Sequence, residues 1–358
     1  MIKNKTEINF LPAYNGDSTL IKTYDKDGNE FIILIDGGTP STFEYVLKKE
    51  LKEISKINLL ILTHIDSDHI GGLINLFKNS LITRIEIEEI WYNQPDIEFY
   101  EPKLDKALIS VPQAENWKSL IKKKKVGVVI KEITTESRII NIKGLEFIIL
   151  SPTSEIKNKL YETWLKERNK PINKIGTKKS LISTSIPSYS KPLEELNKIN
   201  FKPEKSIDYD IYNSSSIAFL LKCPDLSLLL LADSRAEIIS EELKKIGYNI
   251  ENPLSVDLVK ISHHGSLNNT SQELLSLIKS NHYIISTNGG TSNHKHPSRE
   301  TIARIVYKTN RNNKILNIYT NYSLDSLKLR IGDFITIDDF KIGNWNIEHK
   351  NTFTKNDL

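Results

Sequence analysis

The apolar run Leu59-Leu60-Ile61-Leu62-Thr63, followed without a break by His64-Ile65-Asp66-Ser67-Asp68-His69-Ile70-Gly71-Gly72, decides the reading of this chain. The first five residues have the length and polarity of a buried strand, and the segment after them reads as the start of a helix. Four side chains that bind metals through nitrogen or oxygen, His64, Asp66, Asp68 and His69, fall within six positions at that junction. In extended chain, His64 and Asp66 point to one side as alternate residues, while Asp68 and His69 swing in from the first helical turn. These donors suit two adjacent cations. A calcium loop begun at Asp66 would place Gly71 correctly, but its twelfth residue is Phe77 rather than a bidentate Glu, which argues against an EF-hand.

The same arrangement recurs along the chain. Phe31-Ile32-Ile33-Leu34-Ile35 leads into Asp36-Gly37-Gly38, and Leu228-Leu229-Leu230-Leu231-Ala232 leads into Asp233-Ser234. Val256 to Ser262 delivers His263-His264-Gly265-Ser266, and Tyr283-Ile284-Ile285-Ser286 runs towards Asn293-His294-Lys295-His296-Pro297-Ser298. Together these strand ends describe one mouth of a β-structure lined with N and O ligands.

With these motifs the chain resembles the metallo-β-lactamase-fold hydrolases, and within them the hydrolase domain of competence DNA-uptake channel proteins. The matching elements are Gly16-Asp17-Ser18, Ile35-Asp36-Gly37-Gly38, His64 to Gly72, Asn213 to Ser216, Leu231-Ala232-Asp233, Ser262-His263-His264-Gly265-Ser266 and His296-Pro297-Ser298, spread over about residues 7 to 300. The resemblance implies an α+β four-layer αβ/βα sandwich with an inserted segment. Two positions depart from the commoner pattern. Asp66 stands where a second His is usual, as in much of the competence-type branch, and Tyr212-Asn213-Ser214-Ser215-Ser216 offers no imidazole where a third His would precede the bridging Asp. One metal position is thereby expected to be weaker, or to take a harder ion such as manganese.

On this reading the cofactors are two divalent ions, Zn or Mn. His64 and Asp66 hold the first, Asp68, His69 and one of His263 or His264 hold the second, and Asp233 bridges them. Ions some 3.5 to 4 Å apart lower the pKa of a shared water towards neutrality. Asp36 is placed to orient a ligand imidazole rather than to bind metal. His296 is the candidate for protonating a leaving group or touching a phosphate oxygen, and Asn213 and Ser216 are candidate substrate contacts. The expected activity is metal-dependent hydrolysis, with a phosphodiester as the leading substrate through the competence-type resemblance. Hydrolysis of a lactone, thioester, amide or peptide is the rival within enzymes, and a non-catalytic metal-binding sensor the rival outside them.

Composition fits a globular enzyme: 358 residues, 39% hydrophobic and 26% charged, bury a full core. Met1 to Glu7 lacks the apolar core of a signal peptide, and no run approaches about 18 apolar residues. The expectation is a cytoplasmic protein off the membrane, of the kind encoded beside bacterial defence or DNA-handling genes and served by a partner from a neighbouring gene. A single cysteine, Cys223, excludes an internal disulfide framework and reads as a small hydrophobe in a strand. Trp91, Tyr92 and Trp117 read as core or rim aromatics, and Lys122 to Lys125 as the basic end of a helix begun near Gln113. Ser41 with Glu44 reads as the capping box of a helix running to about Ile54.

Three parts are expected: residues 1–152 and 210–358 as the two halves of the sandwich, and residues 153–209 as a basic insertion or lid. That insertion carries twelve Lys plus Arg against seven Asp plus Glu, a net of +5 where the whole chain has +4. A basic segment beside a metal cleft attracts a polyanion, so nucleic acid or a nucleotide is the expected partner, with Lys174, Lys178 and Lys179 as contacts. Neutralising these three lysines is expected to weaken nucleic-acid binding and flatten the slope of log affinity against log salt, because fewer counterions are released. Turnover of a small phosphodiester should be unchanged. Equal slopes for the wild type and the triple variant would reduce the segment to a solvated insertion.

Overall fold

The computed structural model describes residues 5–95, 111–125, 127–168, 191–291, 294–309 and 314–358. Two mixed sheets form its centre. The first holds β1 (Glu7–Phe10), β2 (Thr19–Tyr24), β3 (Glu30–Ile35), β4 (Lys56–Ile61), β5 (Glu86–Trp91) and β6 (Val129–Lys131) in sequence order. The second contains β7 (Ile139–Ile142), β8 (Leu145–Ser151), β9 (Ala218–Lys222), β10 (Ser227–Leu230), β12 (Leu258–Lys260) and β14 (His282–Ile285). Beyond β14 it continues with β17 (Leu316–Thr320) and β18 (Trp345–His349), while β19 (Thr352–Thr354) crosses to the free edge of the first sheet beside β1. Two short ribbons, β11 (Leu254–Ser255) with β13 (Ile278–Lys279) and β15 (Gly290–Thr291) with β16 (His294–Lys295), complete the strands among the described residues.

The period-two alternation of strand side chains explains the layering. In β3, Phe31, Ile33 and Ile35 enter the layer between the sheets, where they meet Phe147, Phe219, Leu228 and Leu258. Ile32 and Leu34 face the other way, onto a helical layer that includes α3 (Ser67–Lys78), α4 (Val111–Lys124) and α5 (Ser154–Arg168). The outer face of the second sheet is covered by α6 (Leu193–Asn197), α8 (Ala236–Lys245), α9 (Gln272–Ser276), α10 (Arg299–Lys308) and α11 (Leu324–Ile331). The result is a four-layer αβ/βα sandwich, the α+β class expected. A short α7 (Ile211–Ser214) precedes β9.

Several elements match their sequence patterns closely, and some do not. The helical segment after β3 is built from α1 (Pro40–Thr42), a wider turn at Phe43–Leu47 and α2 (Lys48–Glu50). Its cap is Thr39, whose hydroxyl accepts from the Thr42 amide at 3.3 Å, rather than Ser41, because Pro40 already supplies the first helical position. Trp91, Tyr92 and Trp117 are buried, and Cys223 is half-buried past the end of β9, its thiol pushed up to about 12 by burial. The described ends of the inserted region pack on opposite layers: Ile156, Leu160 and Trp164 of α5 join the helices of the first sheet, and Leu193 and Leu196 of α6 those of the second. Lys174, Lys178 and Lys179 lie outside the described residues.

One close approach sets where α3 starts. The loop Asp36-Gly37-Gly38 is stitched to α3 by Gly37 N–H to His69 O (2.8 Å) and Gly72 N–H to Gly38 O (2.9 Å). A Cβ on Gly72 would stand 1.9 Å from Gly37 O, so only glycine allows the contact. Gly72→Ala is therefore expected to cost about 1 to 3 kcal/mol of stability, the usual range for overpacking. It should weaken metal binding as well, since α3 carries Asp68 and His69. A thermal midpoint equal to wild type would refute this account of the contact.

Candidate metal centre

The ends of β2's preceding loop, β3, β4, β10, β12 and β14 meet at one edge of the sandwich, and each contributes side chains to a single cleft. After β4 the chain passes His64 and reaches Asp66, the extended N-cap of α3, and Asp68 and His69 occupy the first turn. Asp233 follows β10, and His263 and His264 follow β12. Reaching these positions demands left-handed backbone at Tyr14, Asp36, Ala232, His263 and His264, five of the seven non-glycine residues with positive φ among those described. Such conformations cost roughly 1 to 3 kcal/mol each and persist where surrounding contacts impose them.

Asp233 is the hub. Its Oδ2 lies 3.5 Å from His69 Nε2, 3.7 Å from His263 Nε2, 3.7 Å from His264 Nε2 and 3.9 Å from His64 Nε2. Asp66 Oδ2 stands 3.9 Å from His64 Nε2, and Asp68 Oδ2 stands 3.8 Å from His264 Nε2. His264 therefore reaches both Asp68 and Asp233 and joins the group around His69, whereas His263 is more open, with 26% of its side chain exposed. His296 sits at the rim, its ring 5.8 Å from that of His263 and 6.4 Å from that of His264.

The four imidazoles are held in one tautomer by what lies behind them. Asp36 accepts from the Thr63 amide (2.8 Å), the Thr63 hydroxyl (2.7 Å) and His69 Nδ1 (2.8 Å). Because the Thr63 proton goes to Asp36, its oxygen is left to accept from His64 Nδ1 at 3.1 Å. Asn269 spends its amide protons on the carbonyls of Asp233 and Ser234, turning its own oxygen towards His263 Nδ1 at 3.1 Å. His264 Nδ1 donates to Ser286 O at 2.9 Å. Every Nδ1 thus serves as donor, and every Nε2 faces the cleft, the arrangement that orients ligand histidines.

The donor set fits divalent metal. Among the described residues, His64 Nε2, His69 Nε2, His264 Nε2 and Asp233 Oδ1 are buried without a hydrogen-bond partner, an expensive state unless a cation completes it. Donors gather on both sides of Asp233, His64 with Asp66 on one side and His69 and His264 with Asp68 on the other, and ligand atoms of Asp17, His69, Asp233 and His264 lie within 4.8 Å of one another. In the metal-free chain, burial, helped by the neighbouring His69, pushes the pKa of His64 down to about 4. Burial also opposes charge on His69, but Asp233 and Asp36 together outweigh it and hold its pKa well above the ordinary histidine range. Burial likewise disfavours an ionised Asp233, yet His263, His69 and His264 keep its pKa well below the usual carboxylate value.

Asn213 and Ser216 lie on the segment before β9, where Ile217 N–H donates to Thr63 O at 2.9 Å and brings the segment against the His64 end of the cleft. Asn213 donates to Asp210 Oδ1 at 3.0 Å, and Asp210 in turn lies 3.5 Å from the buried Arg235, which anchors the segment to the Asp233 loop. The sequence assigned no role to Thr63, Arg235, Lys260 or Asn269, and Asp17 stood there only as part of the Gly16-Asp17-Ser18 element. Lys260 was a legible signal, a charge immediately after Leu258-Val259 and before Ile261 in a strand-like run.

The family model described as Metallo-beta-lactamase superfamily matches residues 11–289. The chain is 24% identical over 343 residues to ComE operon protein 3 of Bacillus subtilis (strain 168), covering 89% of this chain and 34% of that protein, so it spans about a third of the relative's length. Among solved structures it is similar to a diphosphatase from the PhnP family, with a TM-score of 0.43 and 10% identity over 97% of each chain. It is also similar to Zn(2+)-bound PqqB from Methylobacterium extorquens, with a TM-score of 0.40 and 10% identity over 94% of this chain and 86% of that one.

Metal uptake is expected to approach two divalent ions per chain and to release protons. A proton on His69 competes with metal for Nε2, so apparent affinity should rise with pH while that proton is being lost. Elemental analysis gives the stoichiometry, and titration of metal into weakly buffered protein gives the protons. No bound metal, or uptake without proton release at neutral pH, would contradict this description.

Proposed function

The chain belongs to the metallo-beta-lactamase superfamily and is a metal-dependent hydrolase of that group, and we propose that its substrate is a phosphodiester, in a nucleic acid or a nucleotide. The observation that carries the proposal is the carboxylate-rich character of the cleft: Asp66 and Asp68 stand beside His64 and His264, and Asp233 stands between the two groups. Oxygen donors suit harder ions such as manganese alongside zinc, and such ions pair well with phosphoryl oxygens. The sequence resemblance to the competence-type hydrolase domain points the same way. Divalent ions held here would supply Lewis acidity and acidify water.

The protein's own groups supply the rest. His64 and Asp66 on one side, and Asp68, His69 and His264 on the other, would hold the ions about Asp233. Asp36 and Thr63 fix the rings of His69 and His64 so that neither must reorganise during the reaction. His296, at the rim beside His263 and His264, is placed to contact a phosphate oxygen or to deliver a proton to the departing oxygen. Asn213 and Ser216 on the segment before β9, and Lys174, Lys178 and Lys179 of the insertion, are the proposed substrate contacts. A partner encoded by a neighbouring gene remains part of the same proposal. Among the described residues, no helix is long and apolar enough to cross a membrane.

Metal-loaded protein is expected to hydrolyse bis(p-nitrophenyl) phosphate and to leave lactone and thioester probes intact. Asp68→Asn and Asp233→Ala should each abolish turnover while the secondary structure, which does not depend on those carboxylates, is kept; some metal-linked stability will go. Turnover of the lactone or thioester alone would move the assignment to an acyl substrate, and tight metal binding with no turnover of any probe would favour a sensor. Near-normal activity of Asp68→Asn at saturating metal would remove Asp68 from the centre.

A further inference from the structure

Lys260 sits where a charge is least expected. Along β12, Val259 packs on the helical side of the sheet and Leu258 enters the layer between the sheets. Lys260, two residues beyond Leu258, follows it inward. Its side chain is 5% exposed, and its ammonium forms an ion pair with Asp17, itself 4% exposed. Burying an ion pair in an apolar layer incurs desolvation that mutual attraction recovers only in part, so stability alone does not account for it.

Two further observations place the pair's task at the metal centre. A carboxylate oxygen of Asp17 comes within 4.8 Å of ligand atoms from His69, Asp233 and His264, close enough to join them around an ion. Asp17 also lies behind the proposed ligands: its Oδ1 is 3.7 Å from His264 Nδ1, whose proton goes to Ser286 O, and its backbone amide donates to Asp68 O at 3.2 Å. That approach requires Gly16, where a Cβ would stand 1.8 Å from Asp68 O. Asp17, Thr19, Asp36, Thr63 and Lys260 line a small cavity beside the pair, so the carboxylate is not locked by packing alone.

We propose that Lys260 is the counter-ion that holds the Asp17 carboxylate back from the metal ions, keeping it a negative charge behind His264 instead of an additional ligand. A further carboxylate on the ions would add negative charge and coordination number, tightening metal binding while weakening Lewis acidity. The inference rests on the metal centre and is independent of the phosphodiester assignment.

Cobalt(II) tests it, because its d–d bands weaken as the coordination number rises. Lys260→Met releases Asp17 and is expected to weaken those bands, to raise Co²⁺ affinity several-fold and to lower kcat with KM little changed. The neutral pair Asp17→Asn with Lys260→Met is expected to fold at least as stably as wild type. It should restore the wild-type band intensity and bind Co²⁺ several-fold more weakly than wild type, since the negative charge 3.7 Å behind His264 Nδ1 is gone while the Asp17 amide keeps its bond to Asp68 O. If the single variant does not fold, the double variant carries the test. A folded Lys260→Met with wild-type spectrum and affinity, or a double variant that binds Co²⁺ as tightly as wild type, overturns the inference alone. A wild-type protein that takes up no Co²⁺ overturns the metal centre and the inference with it.

Discussion

A buried carboxylate surrounded by four imidazoles is the constraint on which the cleft depends. Asp233 keeps its charge only because His69, His263 and His264 compensate for its burial, and each of those rings needs its own anchor to face inward. The anchors come from different parts of the chain: Asp36 after β3, Asn269 after the His263-His264 turn, Ser286 after β14. Moving any one strand end would leave a ring misdirected and Asp233 without compensation. The sandwich thus serves as a frame that brings several strand ends to one level, and the charge balance at that level makes their relative positions matter.

The same demand explains the unfavourable backbone around the cleft. Asp36, Ala232, His263 and His264 all take left-handed conformations, and the contacts that impose them are local and strong. Asp36 accepts three hydrogen bonds, and His263 N–H donates to Ala232 O at 2.9 Å. Glycines do the complementary work where two backbones must nearly touch, at Gly16 against Asp68 and at Gly37 against Gly72. Strain concentrated where donors must converge is a common feature of functional sites.

Much of the architecture was legible in local pattern. Three strands within residues 7 to 36, the strand and helix flanking His64 to His69, and the alternating elements from β9 to α10 follow from hydrophobic period, turn residues and caps. The region beyond α10 was not: β17, β18 and β19 complete both sheets, but which strands they pair with depends on partners remote in sequence, even where Trp345-Asn346-Ile347-Glu348 alternates apolar and polar. The cap at Thr39 was missed because Ser41 and Glu44 form an equally good local signature, and the rigid φ of Pro40 settled the competition.

The sequence by itself determined which donors exist and that they stand at strand ends, because ligand spacing and the switch from apolar run to polar loop are properties of consecutive residues. It also marked Asp36 as an acceptor behind the ligands. Only the tertiary structure decided that His264 reaches Asp68 and Asp233 together while His263 is more open, that Asn269 and Ser286 set the ring tautomers, and that Lys260 claims Asp17. Those choices depend on distances between segments remote in the chain. They are set by how two twisted sheets stack, which no stretch of sequence specifies alone.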